Sequence, residues 1–305
     1  MSTKQMQNKH IEHPEDSILT GDLTILDWFT ADSTVSVKID GAPAIVWGCN
    51  PANGKFFVGT KSVFNKVKIK INHSHEEIDA NHQGKVADIL HACFDSLPRT
   101  HFIYQGDFIG FGGSDTYCPN TITYKFDEVI DQSVIIAPHT QYDCDDDLRN
   151  AVAYPCEQRF VDTLDVKWVQ PEAEICPFRE DIEDVCKFAK QMATLVEFVT
   201  PKQAKEITKV INRFIREGIE IDEVGEYDIA CECECDVNLI RLWKLVQSIK
   251  MDLFCFIESD TDIRCEIDGK FSDHEGYVMN NEFGTFKIVD RDQFSRLNFT
   301  LPKSW

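Results

Sequence analysis

Two hydrophobic periods divide the chain. From about Val35 to Pro138, short apolar runs are broken by turn signals such as Asp40-Gly41, Asn50-Pro51 and Asn53-Gly54, which predicts twisted antiparallel sheet. From about Pro171 to Ser259 the period changes. Ile182, Val185, Cys186, Ala189, Met192, Leu195, Val196 and Val199 recur at three- and four-residue steps, the pattern of an amphipathic helix. A second helix is predicted from Thr200 as N-cap, with Pro201 in its first turn, through Ala204, Ile207, Val210, Ile211 and Phe214 to Gly218 as terminator. A third follows Asp236 and buries Leu239, Ile240, Trp243 and Val246. Strands are expected to return near Asp273 and run almost to the C-terminus, and there is no internal repeat. The fold class expected is therefore α+β, an antiparallel-sheet core with a helical insertion over about 171–259, in one domain spanning 1–305.

Composition narrows the class. At 305 residues with 43% hydrophobic and 11% aromatic side chains, the chain can bury a substantial core and does not have the profile of a disordered or fibrous protein. No apolar run approaches the ~18 residues of a membrane span, and the polar stretch Met1 to Pro14 lacks the signature of a secretion signal, so a cytoplasmic location is expected. The twelve cysteines are accordingly read as reduced thiols. Cys231, Cys233 and Cys235 alternate with Glu232 and Glu234 as on a strand and lack C-x-x-C zinc spacing, while His73, His75 and His82 read as surface residues of a loop. A net charge of −21 argues against non-specific binding of a polyanion, so any nucleic-acid site must be local. The stretch Lys55 to Lys70 is the candidate: it holds Lys55, Lys61, Lys66, Lys68 and Lys70 with no acid, interleaved with Phe56, Phe57 and Phe64. The acidic run Asp143 to Asp147 reads as a solvated loop.

The chemistry concentrates on Val35-Ser36-Val37-Lys38-Ile39-Asp40-Gly41. Strand parity puts Lys38 and Asp40 on one face, opposite Val35, Val37 and Ile39, and Gly41 permits a tight turn and the close approach of a ligand. A lysine acts as a nucleophile only as the neutral amine, so a site using Lys38 is expected to lower its pKa from about 10.4 by burial or by nearby cations. Four further segments follow in order: Val58-Gly59-Thr60-Lys61-Ser62, Tyr104-Gln105-Gly106-Asp107-Phe108-Ile109-Gly110, His274-Glu275-Gly276-Tyr277-Val278-Met279 and Thr285-Phe286-Lys287-Ile288-Val289.

In that order the five segments resemble the motifs of the covalent nucleotidyltransferase superfamily, which includes ATP-dependent polynucleotide ligases and mRNA capping enzymes. The likeness runs from Val35 to Val289 and is greatest to the RNA ligase branch, especially ligase-like proteins of tailed phages. It implies an antiparallel-sheet, ATP-grasp-like ligase core in which Lys38 takes AMP from ATP as lysyl-AMP. AMP then passes to a polynucleotide 5′-phosphate, and a 3′-hydroxyl displaces it to seal the strand, with RNA the favoured substrate. Mg²⁺ or Mn²⁺ would be held by Glu275 and Asp107. Lys287 would neutralise the α-phosphate, Lys61 would add positive charge near the phosphates or the incoming acceptor, and Asp107 would serve the ribose or the metal. Asp40 and Gly41 would complete the nucleotide site, and Tyr124 or Phe126 would face the adenine. A five-residue loop between Met279 and Thr285 would put Glu275 and Lys287 on one face.

The chain also departs from the pattern. Ala42-Pro43-Ala44 lacks the arginine that DNA ligases and capping enzymes carry after the glycine, Asp107 replaces the usual glutamate, and Lys287 stands alone where a Lys-x-Lys pair is usual. The sequence after Val289 is too short for a C-terminal OB-fold, and the roughly 34 residues before Val35 are too few for the extra domain of NAD⁺-dependent ligases. The alternative is a nucleotide-binding or regulatory protein, or an adenylyltransferase acting on a non-nucleic-acid acceptor.

Overall fold

The computed structural model describes residues 11–176, 180–267, 269–272 and 274–294, and its class is α+β with antiparallel sheets. A five-stranded sheet is ordered Ile257–Asp260, Glu172–Ile175, Thr34–Lys38, Gly276–Asn281, Gly284–Val289. Facing it, a second sheet runs Phe56–Gly59, Ala44–Cys49, Ile103–Phe111, Val134–Asp143, Val152–Pro155, with Val166–Trp168 added parallel to Val134–Asp143. A four-stranded sheet of Lys270–Ser272, Arg264–Ile267, Thr123–Ile130 and Ser114–Tyr117 completes the strand set.

The helices Glu180–Ala193, Pro201–Glu217, Glu223–Glu232 and Val237–Cys255 fill the middle of the chain. Pro201–Glu217 is bounded as its ends dictate: the Thr200 hydroxyl accepts from the Gln203 N–H, the Gln203 side chain accepts from the Thr200 N–H, and Gly218 closes the last turn in the left-handed region. The Asp236 carboxylate caps Val237–Cys255 by accepting from the Asn238 N–H. The first helix stops at Ala193, short of the predicted stripe, and Leu195 is 80% exposed.

Four further differences from the sequence reading have local causes. The segment before Pro138 contains two helices, His75–Asn81 and Lys85–Ser96, whose Ile78, Ala87, Ile89, Leu90 and Cys93 pack on the second sheet. His75 therefore opens a helix, started by the Ser74 side chain accepting from the Glu77 N–H, and does not lie in a loop. Cys231 falls in the last turn of Glu223–Glu232 and Cys233 caps it, so the three thiols share no strand face. Strands resume at Ile257, well before Asp273, which lies outside the described residues. All twelve cysteines are free thiols.

The helical stretch is not a separate lobe. One apolar cluster joins Ile182, Ile207, Ile229 and Trp243 from the helices to Val37, Met279 and Ile288 from the five-stranded sheet and to Trp28 and Phe29 near the N-terminus. At its edge lies a buried ionic network. Lys250 Nζ donates to Glu15 Oε1 at 2.8 Å, and Arg291 lies 3.4 Å from the same oxygen and 2.8 Å from Asp16 Oδ1. The Trp243 indole N–H also donates to Asp16, at 3.0 Å, and Arg291 donates to Asn212 Oδ1. This network fixes the segment from Ile11 to Ser17 against the strand carrying Lys287, where the Lys287 N–H donates to the Glu12 carbonyl at 3.2 Å.

Candidate active site

Lys38 ends the strand Thr34–Lys38, opposite Gly276 across the ladder. Val37 and Ile39 are buried while Ser36 and Lys38 face outward, as alternation requires. They face a cavity of about 320 Å³, which Lys38, Lys61, Asp107, Glu275 and Lys287 all line. Five side chains, one from each of the five motif segments, thus meet in one place, between the five-stranded sheet and its partner. The volume is at the lower end of the ~300–1,000 Å³ typical of small-molecule sites.

Charge is arranged asymmetrically. Lys38 Nζ donates directly to Glu275 Oε2, with side-chain exposures of 25% and 12%. Burial pulls the Lys38 pKa down, but Glu275 and Asp40 outweigh it and hold the amine above its ordinary value. That reverses the expectation of a lowered Lys38 in the free protein: with a carboxylate in contact, the ammonium form is favoured. Lys287 is instead the lysine with the lowered pKa, through burial and the neighbouring Lys38 charge. For Asp107, burial works upward, but His139, Lys38 and Lys61 together hold it below the usual carboxylate range. His139 Nε2 is 3.6 Å from Asp107 Oδ1. Asp40 is pushed up to about 6 by burial and by Glu275, against the opposing effects of Lys38 and of the Asn120 amide that donates to its Oδ2 at 2.6 Å.

Several predicted positions serve other ends. Tyr124 is fully buried, and its hydroxyl accepts from the Asp40 N–H at 2.7 Å, so the ring supports the loop after Lys38 and is not free to face adenine. Phe126 packs edge-on against Tyr117, with centroids 5.8 Å apart, and does not border the cavity. Gly41 admits no side chain because a Cβ there would lie 2.6 Å from the Phe108 carbonyl. The close approach the structure shows is to the neighbouring strand, which Ala42 and Pro43 bond through the Phe108 carbonyl and N–H.

The register of the last hairpin also differs from the expected one. Val278 faces Lys287 and Asn281 faces Gly284, leaving a two-residue turn at Glu282-Phe283. In a regular ladder this parity would send Glu275 to the opposite face from Lys287. Gly276, at φ 140°, breaks the alternation, and Glu275, lying just outside the strand, enters the cavity despite the register.

The cavity also holds residues without an obvious sequence signal: Gln105, His139, Tyr142 and Tyr154. Gln105 accepts from the Tyr142 hydroxyl at 2.8 Å. Tyr154 is 45% exposed and borders the cavity, an aromatic ring on its wall. A wider cleft of about 840 Å³ adjoins the first and shares Ser36, Val37, Ile39, His139, Pro155 and Val278 with it. Its charged lining is Asp32, Glu157 and Glu174 against Arg159. Among the described residues, no group of three or more His, Cys, Asp or Glu side chains is gathered as a metal-ligand set. No helix among them is long and apolar enough to cross a membrane.

Residues 8–234 and 223–303 match one family model, described as a family of unknown function (DUF6267), and the chain belongs to that family. Neither the curated proteins nor the solved structures contain a match to it.

Proposed function

We propose that this protein is an ATP-dependent covalent nucleotidyltransferase of the polynucleotide ligase kind, with Lys38 as the residue that carries AMP. The observation that carries the reading is the meeting of Lys38, Lys61 and Lys287 with Asp107 and Glu275 around one cavity between two antiparallel sheets. Lys38 Nζ, once neutral, attacks the α-phosphorus of ATP; a P–N bond forms, the bond from that phosphorus to the bridging oxygen breaks, and pyrophosphate leaves. Glu275, already in contact with Nζ, is the base positioned to take the amine proton. Lys287 and Lys61 set positive charge against the phosphate oxygens, an arrangement whose value is greatest where burial excludes water. Tyr154 takes the place of Tyr124 and Phe126 beside the base.

The carboxylates of Glu275 and Asp107 are hard oxygen donors of the type that holds Mg²⁺ together with substrate phosphates, and such an ion would supply further neutralisation of phosphate charge. In the remaining steps AMP passes from Lys38 to a 5′-phosphate, and a 3′-hydroxyl displaces it. A second reading, transfer of AMP to a non-nucleic acceptor, is favoured by the acidic lining of the wider cleft.

The test is incubation with α-labelled ATP and Mg²⁺, denaturing electrophoresis, and a chase with a nicked or single-stranded 5′-phosphorylated RNA. An acid-labile label on the wild type, absent from Lys38→Ala and discharged by the RNA, is expected. Equal label on Lys38→Ala would refute Lys38 as the nucleophile, and a label that RNA does not discharge would transfer support to the second reading.

A further inference from the structure

The strand Phe56–Gly59 runs into a short 3-10 turn, Lys61–Phe64, and then into a loop, residues 65–69, whose members are all exposed. The loop is not loose at its base. Val63 and Phe64 are buried, the Lys70 N–H donates to the Ser62 carbonyl at 3.3 Å, and Val58 and Asn72 bridge just behind. The Asn65 amide donates to the Lys68 carbonyl at 3.3 Å, closing the loop on itself. Lys66 and Lys68 flank Val67, which is 91% exposed at the tip.

Charge sets this surface apart from the rest of a chain whose net is −21. Elsewhere many exposed cations are paired with acids, as in Lys187–Asp184, Lys190–Asp27, Lys209–Glu206 and Arg213–Glu232, and those that are not, such as Lys202 and Lys205, lie on surfaces that do not border the cavity. Among the described residues, Lys55, Lys61, Lys66 and Lys68 form no ion pair, although most of the molecule is acidic. Screening confines their field to about 8 Å at physiological salt, so they act on what touches them and do not change the protein's overall repulsion of polyanions. Lys61 also lines the cavity of Lys38, which makes the lysine surface continuous with the reactive centre. The other approach, through the wider cleft, presents Asp32, Glu157 and Glu174, and its Arg159 lies 3.8 Å from Glu172.

From these two faces of opposite charge we infer that the phosphate backbone of the acceptor strand lies across Lys66 and Lys68 and reaches Lys38 past Lys61, while the acidic cleft stays free of nucleic acid. Val67 supplies an apolar contact to a sugar or base between the two phosphate-binding lysines. The inference rests on the polynucleotide reading of the site, and it makes residues 65–69 the recognition element of a chain that otherwise repels its substrate.

The experiment measures binding of a 5′-phosphorylated oligoribonucleotide by fluorescence anisotropy across a salt series, with Lys38 labelling run in parallel. Lys66→Glu/Lys68→Glu is compared with wild type and with a charge-matched control, Lys202→Glu/Lys205→Glu, at exposed positions of the helix Pro201–Glu217. Each lost phosphate contact lowers the slope of log affinity against log salt by about 0.7 for a single strand. The loop variant should therefore lose about tenfold or more in affinity at low salt, and its slope should fall by about 1.4. It should still label at Lys38, with the control unchanged in every respect. Wild-type affinity in the loop variant, or an equal loss in the control, would overturn the inference. No label on wild type, with the affinity loss confined to the loop variant, would instead remove the ligase reading and leave the surface standing.

Discussion

Lys250 has no exposed side-chain surface, and neither has Glu15, the carboxylate it contacts. Glu15→Ala leaves that ammonium buried with no carboxylate in ion-pair range among the described residues, whereas Arg291 retains Asp16 and Asn212. Breaking a buried pair from one side costs about 3–5 kcal/mol, because the surviving charge is neither solvated nor paired. For a chain of this size the melting midpoint moves by about 2 °C per kcal/mol, so Glu15→Ala should melt ~6–10 °C below wild type. Adding Lys250→Met removes the stranded charge and fills its volume with an apolar chain. Such replacements of whole buried pairs are close to neutral, so the double variant should recover to within about 2 kcal/mol of wild type. Urea and thermal unfolding followed by circular dichroism measure both differences. Under the proposed function the cavity gives a second readout: Ile11 borders it and the Glu12 carbonyl accepts from the Lys287 N–H, so Glu15→Ala should label Lys38 more slowly even below its transition. A single variant within about 1 kcal/mol of wild type, or a double variant no more stable than the single, would refute the reasoning.

Gly276→Ala should slow Lys38 labelling more than its loss of stability explains: at φ 140° a Cβ would sit 2.2 Å from the Ile288 carbonyl, and the strain of about 1–3 kcal/mol is relieved by moving Glu275. A wild-type labelling rate in this variant would show that the glycine does not direct Glu275. Asp40 gives a pH dependence. Its folded-state pKa of about 6 lies above the ordinary aspartate value of 3.8, so its contribution to stability is fully present below about pH 4 and is lost as pH rises through about 6. The size is at most about 3 kcal/mol. Because asparagine does not titrate, unfolding measured from pH 4 to pH 7 should show Asp40→Asn gaining on wild type up to about pH 6 and running parallel above it; parallel curves throughout would remove Asp40 as the titrating group.

What the sequence made legible was local. The Thr200–Gly218 helix was bounded by its cap chemistry, and the order of short segments around Lys38, Lys61, Asp107, Glu275 and Lys287 named side chains that line one cavity. What it hid depends on distant pairing. The helix Lys85–Ser96 is an exception, since Val86, Ile89, Leu90, Cys93 and Leu97 carry the helical period within a stretch whose turn signals favoured strands. Tyr124 reads equally well as a ligand or as core until its hydroxyl is seen under Asp40. His139 enters the site only through the pairing of Val134–Asp143 with Ile103–Phe111, which shifts register at Gln105/Gly106, and no local pattern announces such a shift. The raised Lys38 pKa has a related cause. Burial and cations were visible in principle, but the Glu275 contact that outweighs burial depends on a glycine conformation outside the regular ladder.

The single apolar cluster that joins the helices to the strand of Lys38 makes the two parts one cooperative unit for hydrogen exchange. Amides of Val237–Cys255 and of Thr34–Lys38 would then be released together, by the same global opening. A ligand that binds only the folded cavity slows that opening everywhere the unit extends. Occupancy of the cavity would be recorded as added protection along the buried stripe of Leu239, Trp243 and Val246, on a helix that does not border it. Cutting out the helices would expose Val37, Met279 and Ile288, leaving Lys38 on a strand with no core beneath it.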